Sequence, residues 1–117
     1  MDRCRVVVTF EMKEEAIPGF REILEKSTPH TLAEKGCLAA GMYQDMQHPT
    51  HFRCIEDWES YDDLMYHLRP DKPEDPEDAS LYIKANMIGK DTFHYYREVF
   101  AMKKDSTIRD PLLRQGK

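Results

Sequence analysis

His67 is the residue of this sequence best suited to proton transfer. It lies in a segment with helical periodicity that follows a predicted strand. A histidine can take a proton from a phenol or an enol near neutral pH and stabilise the resulting anion. Electron-rich anions of this kind can pass an electron to dioxygen directly, so the protein has only to deprotonate, position and exclude water. We therefore predict His67 as a candidate catalytic base, although its residue type and position alone favour a histidine that only packs its helix near a dimer interface.

Four other side chains could contact a small aromatic substrate, and we predict them as substrate-binding residues. Trp58 could stack on a flat ligand or form an apolar wall. Tyr43 and Tyr66 could donate hydroxyl hydrogen bonds, and Thr9 is a weaker candidate of the same kind. Aromatic residues in strands more often pack than take part in chemistry, so a structural role is the alternative for each.

Glu56 shares a strand face with Trp58, because side chains two residues apart in a strand point the same way. Its carboxylate could orient His67 or pair with an arginine such as Arg97. We favour a structural role, in which Glu56 forms a salt link between strands or between subunits.

Asp45, His48 and His51 offer the oxygen and imidazole groups that bind metals. They flank a polar segment typical of a hairpin turn, where such residues gather for other reasons. The sequence also lacks a glycine-rich phosphate loop and the local signature of a serine or cysteine hydrolase. We therefore predict neither a metal ion nor a nucleotide cofactor.

The elements that must position these residues follow the order β-α-β-β-α-β. The predicted strands cover 3–12, 37–45, 51–58 and 93–102, and the predicted helices cover 14–34, the segment after residue 60, and 75–89. Alternating apolar residues mark the strands, and apolar residues at spacings of three and four mark the helices. This order predicts an α+β, ferredoxin-like fold with an antiparallel sheet.

Glycine, proline and capping residues predict where the helices begin and end. Ser60 is typical of a helix N-cap, and Asp75 before a proline is a second such start. Pro29 predicts a bend or a break in the first helix. Gly36 suits a left-handed backbone after that helix, and Gly89 predicts the end of the last one.

The composition favours one soluble domain in a reducing compartment. The 117 residues carry a formal net charge of −5, and the 17 basic residues form no stripe, so neither nucleic acid nor an anionic membrane is an expected partner. No apolar run approaches the roughly 20 residues of a membrane span, and no signal peptide is apparent. We expect a cytoplasmic protein with free thiols at its three cysteines, Cys4, Cys37 and Cys54.

One face of the predicted sheet has no helix to cover it. That face carries apolar and aromatic side chains, and a monomer seldom leaves so large a patch in contact with water. Two copies that pair their open faces in a C2 dimer would bury it and enclose a chamber suited to a small molecule. We therefore predict a homodimer, with His67 near the edge of that chamber. The domain covers 1–103, and 104–117 form a polar tail.

Two stretches resemble the antibiotic biosynthesis monooxygenase family over roughly residues 5–68. The step Glu34-Lys35-Gly36-Cys37 is similar to the family's E-x-G-C pattern between the first helix and the second strand. A longer signature, Y-x-D…P…F…E-x-W-x-S…L…H, is matched in order by Tyr43, Asp45, Pro49, Phe52, Glu56, Trp58, Ser60, Leu64 and His67. The match weakens after His67, where the segment 69–76 carries three prolines and no histidine.

The resemblance implies a homodimeric α+β barrel that oxygenates aromatic polyphenols or quinols without metal or flavin. Other members of the family isomerise small metabolites or degrade haem. The haem-degrading branch typically uses an asparagine on the first strand, and residues 3–12 contain none, so haem ranks below a small phenolic or carbonyl ligand. The expected function is a cofactor-independent monooxygenase. A non-catalytic ligand-binding or stress-related dimer and a purely structural dimerisation module are the alternatives.

Overall fold

The computed structural model describes residues 2–102 and 104, in which one antiparallel four-stranded sheet carries its helices on one face. The strands are β1 (Cys4–Met12), β2 (Cys37–Gln44), β3 (His51–Trp58) and β4 (Met87–Arg97), and the helices are α1 (Ile17–Leu32), α2 (Tyr61–His67) and α3 (Ala79–Asn86). The sheet order is β2-β3-β1-β4, and all three neighbouring pairs are antiparallel. This is the predicted α+β, ferredoxin-like fold.

The core lies between the sheet and the helices because every second side chain of β1 and β3 points there. Phe10 of β1 stacks on Phe52 of β3 at 5.9 Å between ring centroids, and Phe20 of α1 meets Phe52 edge to face at 5.2 Å. A second buried cluster joins Cys4, Val6, Trp58 and Leu64. The sequence periodicity of β1 and β3 therefore predicted which side chains share a face, and the structure shows that the helices cover this face.

The first helix continues through Pro29, and the predicted break there is wrong. The helix runs from Ile17 to Leu32, with Pro29 in its last turn. A proline lacks one backbone donor but keeps a helical φ, so the neighbouring bonds can carry the helix onward. Gly36 then has a φ of +84°, the left-handed conformation that the sequence predicts. A side chain at this position would collide with the carboxylate of Asp63.

The third helix begins later, and the last strand begins earlier, than the sequence predicts. Asp78, not Asp75, is the N-cap of α3, and its Oδ1 accepts the Ser80 N–H at 2.9 Å. The strand starts at Met87 because it pairs with β1 from there. Gly89 has a φ of +72° where the β1–β4 register shifts, so it forms a strand irregularity and does not end the helix.

Two hydrogen bonds tie α3 to α1. The Ala79 N–H, at the start of α3, donates to the buried Ser27 Oγ at 2.9 Å. The Tyr82 hydroxyl donates to the Ala16 carbonyl at 2.6 Å, just before α1 begins. The two helices consequently form one layer over the sheet.

The opposite face of the sheet, which we call the open face, carries no helix. Its side chains include Val7, Thr9, Tyr43, Ile55 and Tyr96, and the two tyrosines are 58% and 52% exposed. The homodimer predicted from this face stays a prediction. The predicted tail at 104–117 lies, apart from residue 104, outside the described residues. None of the helices in the described part of the chain has the length and hydrophobicity of a membrane span.

Candidate functional site

Helix α2 brings His67 against Trp58 at the end of β3. The helix starts at Ser60 because the buried Ser60 Oγ accepts the Asp63 N–H at 3.1 Å, as the N-cap pattern predicts. His67 is the last helical residue, and its ring lies 4.8 Å from the indole of Trp58, centroid to centroid. Trp58 is fully buried, so the imidazole rests on a rigid apolar wall.

The Nδ1 edge of His67 contacts a carboxylate and an ammonium group. Both carboxylate oxygens of Glu34 lie 2.8 Å from Nδ1. The Lys72 Nζ lies 3.0 Å from each of these oxygens and 3.0 Å from Nδ1. The side chain of His67 is 14% exposed and that of Glu34 is 27% exposed, so water screens these contacts only in part.

The Nε2 edge of His67 faces the sheet and Glu56. The Glu56 Oε1 lies 3.7 Å from Nε2 and accepts the Trp58 indole N–H at 3.2 Å. The Cys54 thiol donates to the Glu56 Oε2 at 3.5 Å. Burial, with Glu56 as a second cause, raises the pKa of Cys54 far above the ordinary thiol range, so this thiol stays a donor. Indole and thiol together fix Glu56 beneath the imidazole.

In this arrangement a carboxylate contacts one imidazole nitrogen and can orient the ring. If Nδ1 donates its proton to Glu34, the lone pair of the neutral imidazole lies on Nε2, on the edge that faces the sheet. Nε2 is then free to accept a proton, because 3.7 Å to Glu56 is longer than a hydrogen bond. The site can therefore abstract a proton from a weakly acidic hydroxyl or carbon acid.

The structure brings together only some of the predicted site residues. His67 and Trp58 lie in contact on the helix-covered face, whereas Thr9 and Tyr43 lie on the open face. Tyr66 is 64% exposed, and the guanidinium of Arg69 lies 3.8 Å above its ring. The prediction that His67 borders a chamber on the open face is wrong, because alternation along β3 directs Trp58 and Glu56 towards the helices.

Two cavities lie on opposite sides of the sheet. A cleft of about 400 Å³ between α1, α2 and the segment before α3 includes Glu34, Tyr66, Arg69 and Lys72 among its lining residues. A wider depression of about 790 Å³ on the open face includes Thr9 and Tyr43. The four predicted substrate-binding residues therefore do not form one site. Tyr66 lines the cleft, Thr9 and Tyr43 line the depression, and Trp58 lines neither.

Two residues of the His67 site are absent from the sequence-based prediction. Glu34 lies within the E-x-G-C step that carries the family resemblance. Lys72 lies in the proline-containing segment 69–76, which departs from the family pattern. No local signal links Glu34 to His67, because 33 residues separate them. Lys72 lies only five residues after His67, but in a segment without the periodicity of a helix or a strand.

Glu56 lies beside His67, one of the two partners that the sequence suggests for it, whereas Asp45 bonds within its own hairpin turn. Arg97 pairs with Asp2 at 3.1 Å and not with Glu56. The Asp45 Oδ1 accepts the N–H groups of Gln47 and His48, and these bonds hold the pKa of Asp45 below its usual range. Within residues 2–102 and 104, no group of three or more His, Cys, Asp or Glu side chains has the arrangement of a metal site.

Several solved structures share the fold. A conserved protein from Methanosarcina mazei Go1 superposes with a TM-score of 0.69 at 24% identity, over 84% of this chain and 94% of its own. A candidate antibiotic biosynthesis monooxygenase from Nitrosomonas europaea superposes at 0.72 with 16% identity, over 86% and 94%. One from Deinococcus radiodurans gives 0.68 with 21% identity, over 88% and 99%. No curated protein is a significant match.

The family comparison covers the half of the chain that holds the His67 site. The family model described as antibiotic biosynthesis monooxygenase matches residues 3–72, from the first strand to the lysine beside Glu34. This span exceeds half of the 117 residues. The chain therefore belongs to the antibiotic biosynthesis monooxygenase family.

Proposed function

We propose that this protein is a cofactor-independent monooxygenase of small aromatic or enolisable substrates, with His67 as the base. The observation that carries the proposal is the position of the imidazole, held between the Glu34 carboxylate at 2.8 Å and the indole of Trp58 at 4.8 Å. A mostly buried histidine with one nitrogen bonded and the other free is suited to proton abstraction. Membership of the family supports the class of reaction.

The reaction needs no outside reductant. His67 takes a proton from an activated ring CH₂ or phenol, and the resulting anion transfers one electron to dioxygen. Recombination of the radical pair forms a C–O bond and, after the proton returns, a hydroperoxide on carbon. Loss of water from R₂CH–OOH gives R₂C=O, so R₂CH₂ and O₂ become R₂C=O and H₂O. The substrate supplies all four electrons, one oxygen atom enters the product, and the other leaves in water.

The buried surroundings of His67 support this chemistry in a second way. Trp58 packs against the ring and belongs to one buried cluster with Val6 and Leu64, so the indole excludes water from one side of the ring. A flat substrate anion placed on Nε2 would have the indole beside it. In this proposal Trp58 positions the substrate, Tyr66 lies at the outer cleft, and Thr9 and Tyr43 take no part in the chemical step.

The direct test measures oxygen uptake with a panel of anthrones, naphthols and hydroquinones in metal-free buffer. We expect one O₂ consumed per carbonyl formed, with one ¹⁸O atom from ¹⁸O₂ in the product. Replacement His67→Ala should lower turnover by about 10²–10⁴-fold. His48→Ala is the matched control, because His48 is an exposed hairpin histidine. Equal loss in both variants, or no loss in His67→Ala, would contradict the proposal.

A second candidate function is non-catalytic binding of a small ligand on the open face. The observation that favours it is the depression of about 790 Å³ beside Thr9 and Tyr43. Trp58 separates the two candidates because it is the single tryptophan and lies beside His67. A ligand of the catalytic site should quench its fluorescence. A ligand that binds without quenching, with its affinity reduced by Tyr43→Ala, would support the binding function.

We also propose that the protein acts as a homodimer in the cytoplasm. The exposed tyrosines of the open face support pairing of two copies, since such patches are usually covered. The three cysteines are free thiols, as expected in a reducing compartment. Sedimentation over a range of protein concentrations tests the dimer, and fractionation of cells tests the location. A monomer at micromolar concentration would contradict the first part.

A further inference from the structure

Lys72 is the one cation that contacts both Glu34 and His67 in the described part of the chain. Its Nζ lies 3.0 Å from both oxygens of Glu34 and 3.0 Å from His67 Nδ1. The side chain is 27% exposed, so water screens the contact only in part. Lys72 belongs to the segment between α2 and α3, which is also the part where the chain departs from the family's pattern.

Glu34 and Lys72 offer His67 Nδ1 opposite hydrogen-bonding roles. A carboxylate can only accept, so it favours a proton on Nδ1, whereas an ammonium can only donate, so it favours a bare Nδ1. The two distances to Glu34 are 2.8 Å and the distance to Lys72 is 3.0 Å. Because Lys72 also donates to both Glu34 oxygens, its protons have acceptors without Nδ1. The geometry therefore favours the Nδ1–H form.

The charges around the imidazole also favour the neutral form with its proton on Nδ1, and they give Lys72 a part in keeping it. Glu34 alone would place an uncompensated carboxylate against the imidazole and would favour its doubly protonated, cationic form. The Glu56 carboxylate, at 3.7 Å from Nε2, acts in the same direction. The ammonium of Lys72 offsets one of these two negative charges. Only a neutral imidazole has a lone pair with which to accept a proton.

We propose that Lys72 is a positioning residue that holds Glu34 on His67 Nδ1 and keeps the imidazole neutral, with its lone pair on Nε2. This inference rests on the proposed function, because it states how the base is kept ready. It extends that function by giving a role to the segment between α2 and α3. Lys72 acts through Glu34 and need not touch the substrate.

The test is ¹⁵N NMR of the imidazole in the full-length protein without substrate at pH 7. The wild type should show a protonated Nδ1 and an unprotonated Nε2 for His67. In Lys72→Met the two nitrogens should both shift to the protonated position. Lys72→Arg should restore the wild-type pattern, because a guanidinium can also donate to both Glu34 oxygens. Circular dichroism verifies the fold of each variant.

Lys35→Met is the matched control. Lys35 lines the same cleft and its loss changes the net charge equally, but it is exposed and makes no described contact with His67. A wild-type imidazole spectrum in Lys72→Met, or the same change in Lys35→Met, would overturn the inference. Turnover is measured separately. If the spectra change as expected but no substrate is oxygenated by the wild type, the proposed function fails and the positioning of His67 stands.

Discussion

The two faces of the sheet use neighbouring residues of the same strands for opposite purposes. On the helix-covered face, β3 contributes Glu56 and Trp58 to a buried network around His67. On the open face, the intervening Asp57 pairs with Arg5 in contact with water. A single step along a strand therefore separates a site that can do chemistry from a surface that can pair with another molecule. This difference shows that His67 is a candidate base because its surroundings are buried, more than because it is a histidine.

The largest contrast between the faces should be in the stability that an aromatic ring contributes. Trp58→Ala should lower the free energy of unfolding by about 3–5 kcal/mol, because it empties a fully buried site. Tyr43→Ala, on the open face, should cost less than about 1 kcal/mol in a dilute, monomeric sample. Urea denaturation measures both. If the Tyr43→Ala cost grows with protein concentration, a second copy covers the open face.

Two glycines give the next contrast. Gly36→Ala should destabilise by about 1–3 kcal/mol, because the residue has a left-handed φ and its new Cβ would meet Asp63 at the start of α2. At Gly41 the added Cβ would meet the hydroxyl end of Tyr43 at 2.9 Å, and that flexible side chain can move. Gly41→Ala should therefore change stability by less than about 0.5 kcal/mol. Equal changes in melting temperature in the two variants would contradict the difference expected between the two glycines.

The three cysteine thiols all point towards the helix-covered face, and their burial should make the stability depend on pH. This effect should be smaller than those of the tryptophan and glycine substitutions. Burial raises the pKa of Cys37 to about 11 from 9.0, and it raises those of Cys4 and Cys54 as well. The folded state therefore keeps protons that the unfolded chain loses, so stability should fall as the pH rises from about 9 to about 11. Chemical denaturation at pH 8 and pH 10 measures the loss. A Cys37→Ala, Cys54→Ala variant should lose less, and an equal loss would contradict the assignment.

The smallest effect should come from the Arg5–Asp57 pair. The guanidinium donates to both Asp57 oxygens at 2.7 and 3.0 Å, and this hydrogen bonding raises the pKa of Arg5. The Arg5 side chain is half exposed, so a double-mutant cycle with Arg5→Gln and Asp57→Asn should give a coupling of about 0.2–1 kcal/mol. The coupling should fall in 1 M salt. A larger, salt-independent coupling would mean that this face is buried in solution.

The sequence contained enough information for the fold but not for the site. Alternation in β1 and β3 and the Ser60 cap are local patterns, so they predicted the sheet, the ferredoxin-like order and the place of His67 on α2. Alternation also placed Trp58 and Glu56 together. It could not say which face the helices cover, because that depends on how the connections cross the sheet.

The remaining errors have the same physical origin. Glu34 reaches His67 across 33 residues of chain, which leaves no spacing to recognise. Lys72 lies five residues after His67, in a segment whose course no periodicity predicts. Gly89 has the positive φ typical of a helix end, but pairing with β1 places it inside β4. Pro29 is a helix breaker by propensity, yet α1 continues past it. In each case tertiary contacts decided between local conformations that the residue tolerates about equally.

The bond from the Ala79 amide to Ser27 has a consequence for how a molecule could enter the site. Parting of α1 from α3 would leave a buried donor without an acceptor, at a cost of about 1–3 kcal/mol for that group alone. The segment between α2 and α3 has no such buried anchor to β3, and its Lys72 contacts are ionic and partly hydrated. Movement of this segment should therefore open a path to the imidazole at a lower cost than separation of α1 from α3.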